Sequence, residues 1–302
     1  MRENAFREIA GDLWRDKTGL FGFAVVILLL VVVMFGPLLA PHDPGAINLV
    51  ARLKPPVWLD GGSWARPLGT DHLGRDVLSR MIIGARASLL VGFSVVSIAG
   101  SFGTIVGIIA GYFGHRVDAL IMRLVDTQVA FPGLLLAIII LAVVGPSIET
   151  VILVLCLNGW MVFARMARGI VLSVREAPYV EAAEVIGCHP FRVVWRHILP
   201  NLLAPMLTLA VLEFARVILA EAALSFLGVG VQPPDTSWGL DLASGKNYLF
   251  RAWWLVCFPG LAISVTVLGA NLFANWLRAV ADPHEREKLF AAAVAAEEGA
   301  AP

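Results

Sequence analysis

Residues 179–201 read YVEAAEVIGCHPFRVVWRHILPN and stand between two apolar runs, Thr150–Leu172 and Leu202–Val229. The cassette holds two Glu, two Arg, two His, two Pro and a lone Gly. Each flanking run, at 1.5 Å per helical residue, is long enough to cross about 30 Å of hydrocarbon. So polar a segment between two such runs belongs at a membrane face, and the whole chain has to be read as polytopic. Composition agrees: 58% of residues are hydrophobic and 15% charged, whereas a soluble domain is nearer half apolar and a quarter charged. A formal net charge of zero leaves no basic footprint for nucleic acid. Cys156, Cys188 and Cys257 are scattered, which suits isolated thiols better than a disulfide or a metal site.

Outward from the cassette, further apolar runs lie at Leu20–Ala40, Ser88–Tyr112, Leu120–Val144 and Trp254–Leu277. With the two flanking runs they predict an all-α protein of six transmembrane helices, the first retained because PLLAPHD offers no A-x-A cleavage site. Six crossings put both termini on one side. Arg2, Arg7, Arg15 and Lys17 precede the first run. Arg116 lies in the second loop, Arg168, Arg175, Arg192 and Arg196 in or beside the cassette loop, and Arg278, Arg286 and Lys288 in the tail. The positive-inside bias therefore makes that side cytoplasmic. Residues 41–86 then lie outside despite several Arg, partly offset by Asp43, Asp60, Asp71 and Asp76.

Three regions follow: 1–65 with the first helix and the start of the external loop, 66–283 as the main bundle, and a small, acidic tail at 284–302 with no periodic apolar face.

Within the external segment, Arg66–Leu90 passes from a Gly/Pro/Asp-rich loop into an amphipathic helix. Val77, Met81, Ile82 and Ala85 fall on one face, with Arg75, Ser79, Arg80 and Arg86 around the other. That pattern predicts a helix lying along the membrane surface and leading into the second span. In the second span, Gly103, Gly107 and Gly111 recur every four residues, a spacing that favours close helix packing over gating.

The fifth span carries Glu213, Arg216 and Glu221, each costing roughly 2.5–3.5 kcal/mol at a helix centre on insertion scales. Glu213 and Arg216, three residues apart, can pair on one face. Such a helix either lines a polar path or uses the charges as a packing strut. Arg123, Asp126 and Arg165 lie nearer helix ends and are expected to snorkel to an interface.

An enzyme would need a catalytic constellation. G-x-x-x-x-G-K-[ST], H-E-x-x-H and G-x-S-x-G are all absent from the sequence, and the six His make no ligand cluster. No catalytic residue, metal ligand or cofactor is assigned to this chain.

The cassette itself reads as a helix–turn–helix. Pro178 suits a helix's first turn, Glu181 and Glu184 favour its positive end, and Ala182 and Ala183 are small, strong helix formers. Gly187 can take the left-handed conformation that ends the helix. Pro190 opens a second helix, and Pro200 is expected to close it before the fifth span. Small and acidic residues at the tip favour docking into a protein cleft over lying flat on lipid.

Glu181-Ala182-Ala183, Gly187 and Leu199-Pro200 resemble the EAA…G…LP loop of ABC-importer permease subunits. Leu68–Gly92, Met122–Ile138, Ala220–Gly239 and Phe258–Leu272 resemble the C-type subunit of the dipeptide/oligopeptide/nickel branch, so the likeness runs over nearly the whole chain. The resemblance implies a type I importer bundle in a bacterial plasma membrane, paired with a homologous B-type permease. Two ATPase subunits, which bind ATP and Mg, and an extracytoplasmic solute-binding protein complete the implied machine. It makes the loop at about 176–200 the coupling element, with Glu181, Ala182, Ala183, Gly187, Leu199 and Pro200 as its residues. It also matches Glu221 to a polar position of the family's fifth span. The implied cargo is short peptides, with nickel or another small solute as the alternative. A self-sufficient secondary transporter is the rival from another class; its inverted repeats are not evident here.

Overall fold

A computed structural model describes residues 11–281 apart from Arg15. Arg2, Arg7, Arg15, Arg286, Lys288 and the tail at 284–302, used above, lie outside the described residues. The main helices are α1 Lys17–Leu39, α2 Val77–Phe113, α3 His115–Val129, α4 Gly133–Val144, α5 Ile148–Arg175, α6 Pro178–Val185, α7 Pro190–Val193, α8 Leu199–Phe226, α9 Trp238–Gly245 and α10 Trp254–Ala281. Among the described residues there is no strand, only two isolated bridges. Five helical segments are long and apolar enough to cross a membrane, and the bent pair α3–α4 makes a sixth.

Close contacts fix the helix directions. Gly19 meets Trp276 and Gly36 meets Arg86, so α1 starts where α10 finishes and ends where α2 begins. Gly103, Gly107 and Gly111 meet Trp160, Ala164 and Val171 in ascending order, so α2 and α5 run parallel. The bundle therefore has a cassette end, with α6 and α7, and a far end, with residues 41–76 and 230–253. The main core lies between α2, α4, α5 and α8, where Val91, Val95, Leu141, Val151, Val154, Val217 and Leu224 are buried together.

Three sequence expectations change. First, the third span is not one helix: α3 and α4 meet at 80°. Pro132 disfavours helical geometry at Phe131 before it, and Pro132 and Gly133 begin a new helix rather than continue the old one. Second, α2 is a single helix of 37 residues, about 55 Å at 1.5 Å per residue. Its first turns do not lie flat on lipid. The side expected to be polar and outward is buried at Ser79 and Arg80, because an outer layer of loops and α9 covers it.

Third, Pro200 does not close a helix. The chain runs from α7 through a π turn, Val194–Ile198, straight into α8, with Pro200 in its first turn. Proline supplies no N–H to the carbonyl four residues back and crowds it. The chain widens instead, and the Leu199 N–H bonds the Val194 carbonyl five residues back. Asp126 and Arg165, both exposed, pair with each other across α3 and α5 at 2.6 Å.

The far end is held by buried charge. The Arg80 guanidinium donates to Asp241 through Nε at 2.8 Å and also through Nη2, and Thr236 Oγ1 donates to the same carboxylate. Asp71 lies 3.9 Å from Arg80 and 2.6 Å from Arg75. Asp76 accepts from the Ser79 N–H and hydroxyl, capping α2. Burial pushes the Asp241 carboxyl up, against the pull of Arg80. Short helix α9 is tucked among α8, α10 and α2, with the Trp238 indole donating to the Met81 carbonyl at 3.0 Å.

Candidate functional site

At the cassette end, Ala177 is extended and Pro178 takes the first position of α6, where no N–H is required. Gly187, at φ +83°, ends the helix. Its N–H bonds the Glu184 carbonyl at 2.9 Å, and the Cys188 N–H bonds the Ala183 carbonyl at 3.0 Å. These two bonds form a Schellman cap, which satisfies carbonyls that the helix end would leave open. His189 Nδ1 then accepts from the Phe191 N–H at 3.3 Å and starts α7.

Val180 is fully buried with Ala167 and Val171 of α5, Val193 of α7, and Ile198 and Leu202 at the root of α8. Ala183 is buried as well. Helix α6 thus stands with its inner face on the junction of α5 and α8. Tyr112 at the end of α2 donates to Glu184 at 3.2 Å, and the Arg175 guanidinium donates to the Tyr112 carbonyl at 2.9 Å. The cassette is therefore tied to three spanning helices while its other face stays open.

That open face carries Glu181, Ala182 and Glu184, and also Val185 and Ile186, which are 86% and 79% exposed. Gly187 is exposed with open space around it, Leu199 is half-buried and Pro200 exposed. Sequence reading missed the apolar tip. Helical phase contained the signal: with Val180 and Ala183 turned inward, positions 185 and 186 cannot share their face.

Within the spans, Arg216 donates to Glu213 through Nε at 2.7 Å, with Nη2 at 2.6 Å; the carboxylate is buried and the guanidinium half-exposed. Glu221 is elsewhere. It is fully buried and accepts from Ser88 of α2 at 3.0 Å and Ser225 at 2.8 Å. Ser88 also accepts weakly from the Trp238 N–H at 3.4 Å. The three charges of the fifth span thus make two sites, an ion pair open on one side and a polar clamp joining α2, α8 and α9. Arg168 pairs with Asp118 in the same way that Arg165 pairs with Asp126, tying α3 to α5 twice.

At the glycine stripe, a Cβ on Gly103 or Gly107 would strike the Trp160 or Ala164 carbonyl oxygen, and one on Gly111 would lie 2.8 Å from Val171 Cβ. The backbones of α2 and α5 touch there, and nothing larger than glycine fits without displacing α5.

Helices of this length, five of them apolar enough to cross a membrane, with a polar hairpin at one end of the bundle, define a multi-pass membrane protein. The family model described as "Binding-protein-dependent transport system inner membrane component" matches residues 103–287. That described as "N-terminal TM domain of oligopeptide transport permease C" matches residues 5–56. The chain is 42% identical over 268 residues to the di/tripeptide transport system permease protein DppC of Pseudomonas aeruginosa, covering 89% of this chain and 88% of that one. It is 45% identical over 269 residues to the dipeptide transport system permease protein DppC of Escherichia coli, covering 89% and 90%. The probable D,D-dipeptide transport system permease protein DdpC of Escherichia coli is 40% identical over 259 residues, covering 86% and 85%. The chain belongs to the inner-membrane components of binding-protein-dependent transport systems, and its fold is that family's helical permease bundle. Membership in that family displaces the reading as a self-sufficient secondary transporter.

Proposed function

We propose that this chain is one permease subunit of an ATP-driven importer of short peptides in a bacterial plasma membrane, with its cassette end and both termini cytoplasmic. Peptide cargo is supported by the relatives, whose names specify di- and tripeptides. Nickel or another small solute is the weaker alternative. A homologous B-type permease completes the path, two ATPase subunits bind ATP and Mg, and an extracytoplasmic binding protein delivers the solute. The chain contributes no catalytic residue and no cofactor site.

The observation that carries coupling is the geometry of α6. Its inner face rests on α5 and α8 through Val180, while Glu181, Ala182, Glu184, Val185 and Ile186 face outward. A helix seated this way behaves as a foot: a push on the outer face passes through packed side chains into two spanning helices. Helix α8 carries the Arg216–Glu213 pair and, through Glu221 and Ser88, is joined to α2 and to the start of α9. Movement of α8 would therefore reach both the polar path and the far-end cap. The Schellman cap at Gly187 keeps the foot from hinging where it is pushed.

The test uses the complete transporter in vesicles with Glu181→Lys, which reverses charge on the outer face and leaves the inner face intact. ATP-driven dipeptide uptake should be lost while the amount of inserted, assembled protein stays the same. Uptake at the wild-type rate would remove α6 from the coupling step, and uptake of nickel in place of dipeptide would remove the peptide assignment.

A further inference from the structure

The second half of the cassette behaves differently from α6. Phe191 and Trp195 stack with ring centroids 6.2 Å apart and stand 70% and 65% exposed. Arg192 and Arg196 beside them are exposed too, and no Asp or Glu occurs between Val185 and Leu212. This face is aromatic and basic, where that of α6 is small, acidic and aliphatic.

The π turn explains where the face points. Trp195 and Leu203 are eight residues apart, and at 3.6 residues per turn this overshoots two turns by about 80°. A π turn accommodates one extra residue and takes most of that overshoot back, so Trp195 comes over Leu203. Leu203 and Leu207, one turn apart and 55% and 57% exposed, continue the line into the membrane-spanning part of α8. Arg216 lies thirteen residues beyond Leu203 on nearly the opposite side of the helix. The stripe Phe191–Trp195–Leu203–Leu207 is thus the apolar side of a membrane span, extended one step into the interface.

We infer that Phe191, Arg192, Trp195 and Arg196 form a binding site for anionic phospholipid headgroups, setting the depth at which the coupling foot hangs. Aromatic rings sit at the headgroup level, where an apolar ring body and a polar edge are both satisfied. The arginines extend to the phosphates and pair with them in bidentate fashion. This rests on the reading of α8 as a membrane span and is independent of what α6 contacts. The two halves of the cassette then take two partners, a protein below α6 and lipid beside α7.

The experiment uses the complete transporter in vesicles of phosphatidylcholine with phosphatidylglycerol. A benzophenone amino acid at position 195 should, on illumination, form adducts of phospholipid mass. Native mass spectrometry should show phosphatidylglycerol retained in preference to phosphatidylcholine. Arg192→Gln and Arg196→Gln should each reduce that preference roughly five-fold at low salt, while Arg192→Lys and Arg196→Lys keep most of it. Adducts with an ATPase chain instead of lipid would overturn the inference, as would a lipid preference unchanged by both glutamines. Loss of uptake in Glu181→Lys would leave either result unaffected.

Discussion

At the far end of the bundle Arg80, Asp241 and Asp71 are buried against one another beneath the outer loops, whereas at the cassette end Glu181, Glu184, Arg192 and Arg196 are all exposed. Both regions read in sequence as polar interruptions of an apolar chain. The difference lies in whether the polar groups find their partners inside the molecule. At the far end these three charges are paired internally, in a cap joining residues 41–76, α2 and α9. The cassette closes its backbone with the Gly187 cap and ties Glu184 to Tyr112, but Glu181, Arg192 and Arg196 stay exposed.

The strongest way to break this contrast is to unpair the cap. Asp241→Ala leaves Arg80 buried with its main partner gone, a change that costs about 3–5 kcal/mol in such settings. It should lower the unfolding temperature and open residues 41–76 to hydrogen exchange. Replacing both partners with apolar residues of similar volume should recover much of the loss, since it removes the buried charge along with the bond.

At the cassette, the corresponding weak point is the inner face of α6. Val180→Ala removes two fully buried methyl groups and should cost about 2 kcal/mol. Hydrogen exchange should rise in residues 178–188 alone, with the cap unaffected. Opening that spread to the far end would show that the two regions do not fold independently.

A smaller effect is expected at the turn. Gly187→Ala forces a side chain into a left-handed conformation, at about 1 kcal/mol. There is open space around Gly187, so strain is the only cost, and Gly187→Asn should be milder because Asn tolerates that region better. Thermal unfolding of the three proteins gives the ranking.

The smallest effect concerns His72, which stacks on Tyr248 at 5.6 Å while its Nδ1 is buried without a hydrogen-bond partner. Burial pushes the His72 imidazole below its usual range. The folded state therefore binds fewer protons than the unfolded chain, and stability rises with pH. The far end should be at full strength above about pH 6.5, the ordinary histidine value, and weaken as pH falls through the lowered one. His72→Phe should flatten that acid limb with little change at neutral pH.

The cassette's local structure was legible because its signals act within a few residues. Pro178 and Pro190 start helices by lacking an N–H where none is needed, and Gly187 stops one by tolerating φ +83°. Glu213 and Arg216 were legible as a pair, since three residues on a helix fix their separation. Pro200 misled because a missing N–H can be met by ending the helix or by widening it, and the letters are the same. Val185 and Ile186 went unnoticed because apolar residues are expected inside, and only the seating of Val180 turns them out.

By itself the sequence determined the apolar runs that cross the membrane, their number, and the polar hairpin between the fourth and fifth runs. These depend on transfer free energy and backbone chemistry summed over neighbours in the chain. Only the tertiary structure decided that Arg80 faces inward to Asp241, 161 residues away. It also separated Glu221 from Glu213 and gave it to Ser88, 133 residues away, and it turned one face of the cassette outward. Whether a charged residue is a surface feature or a buried bond depends on what packs against it, and that neighbour comes from a distant part of the chain.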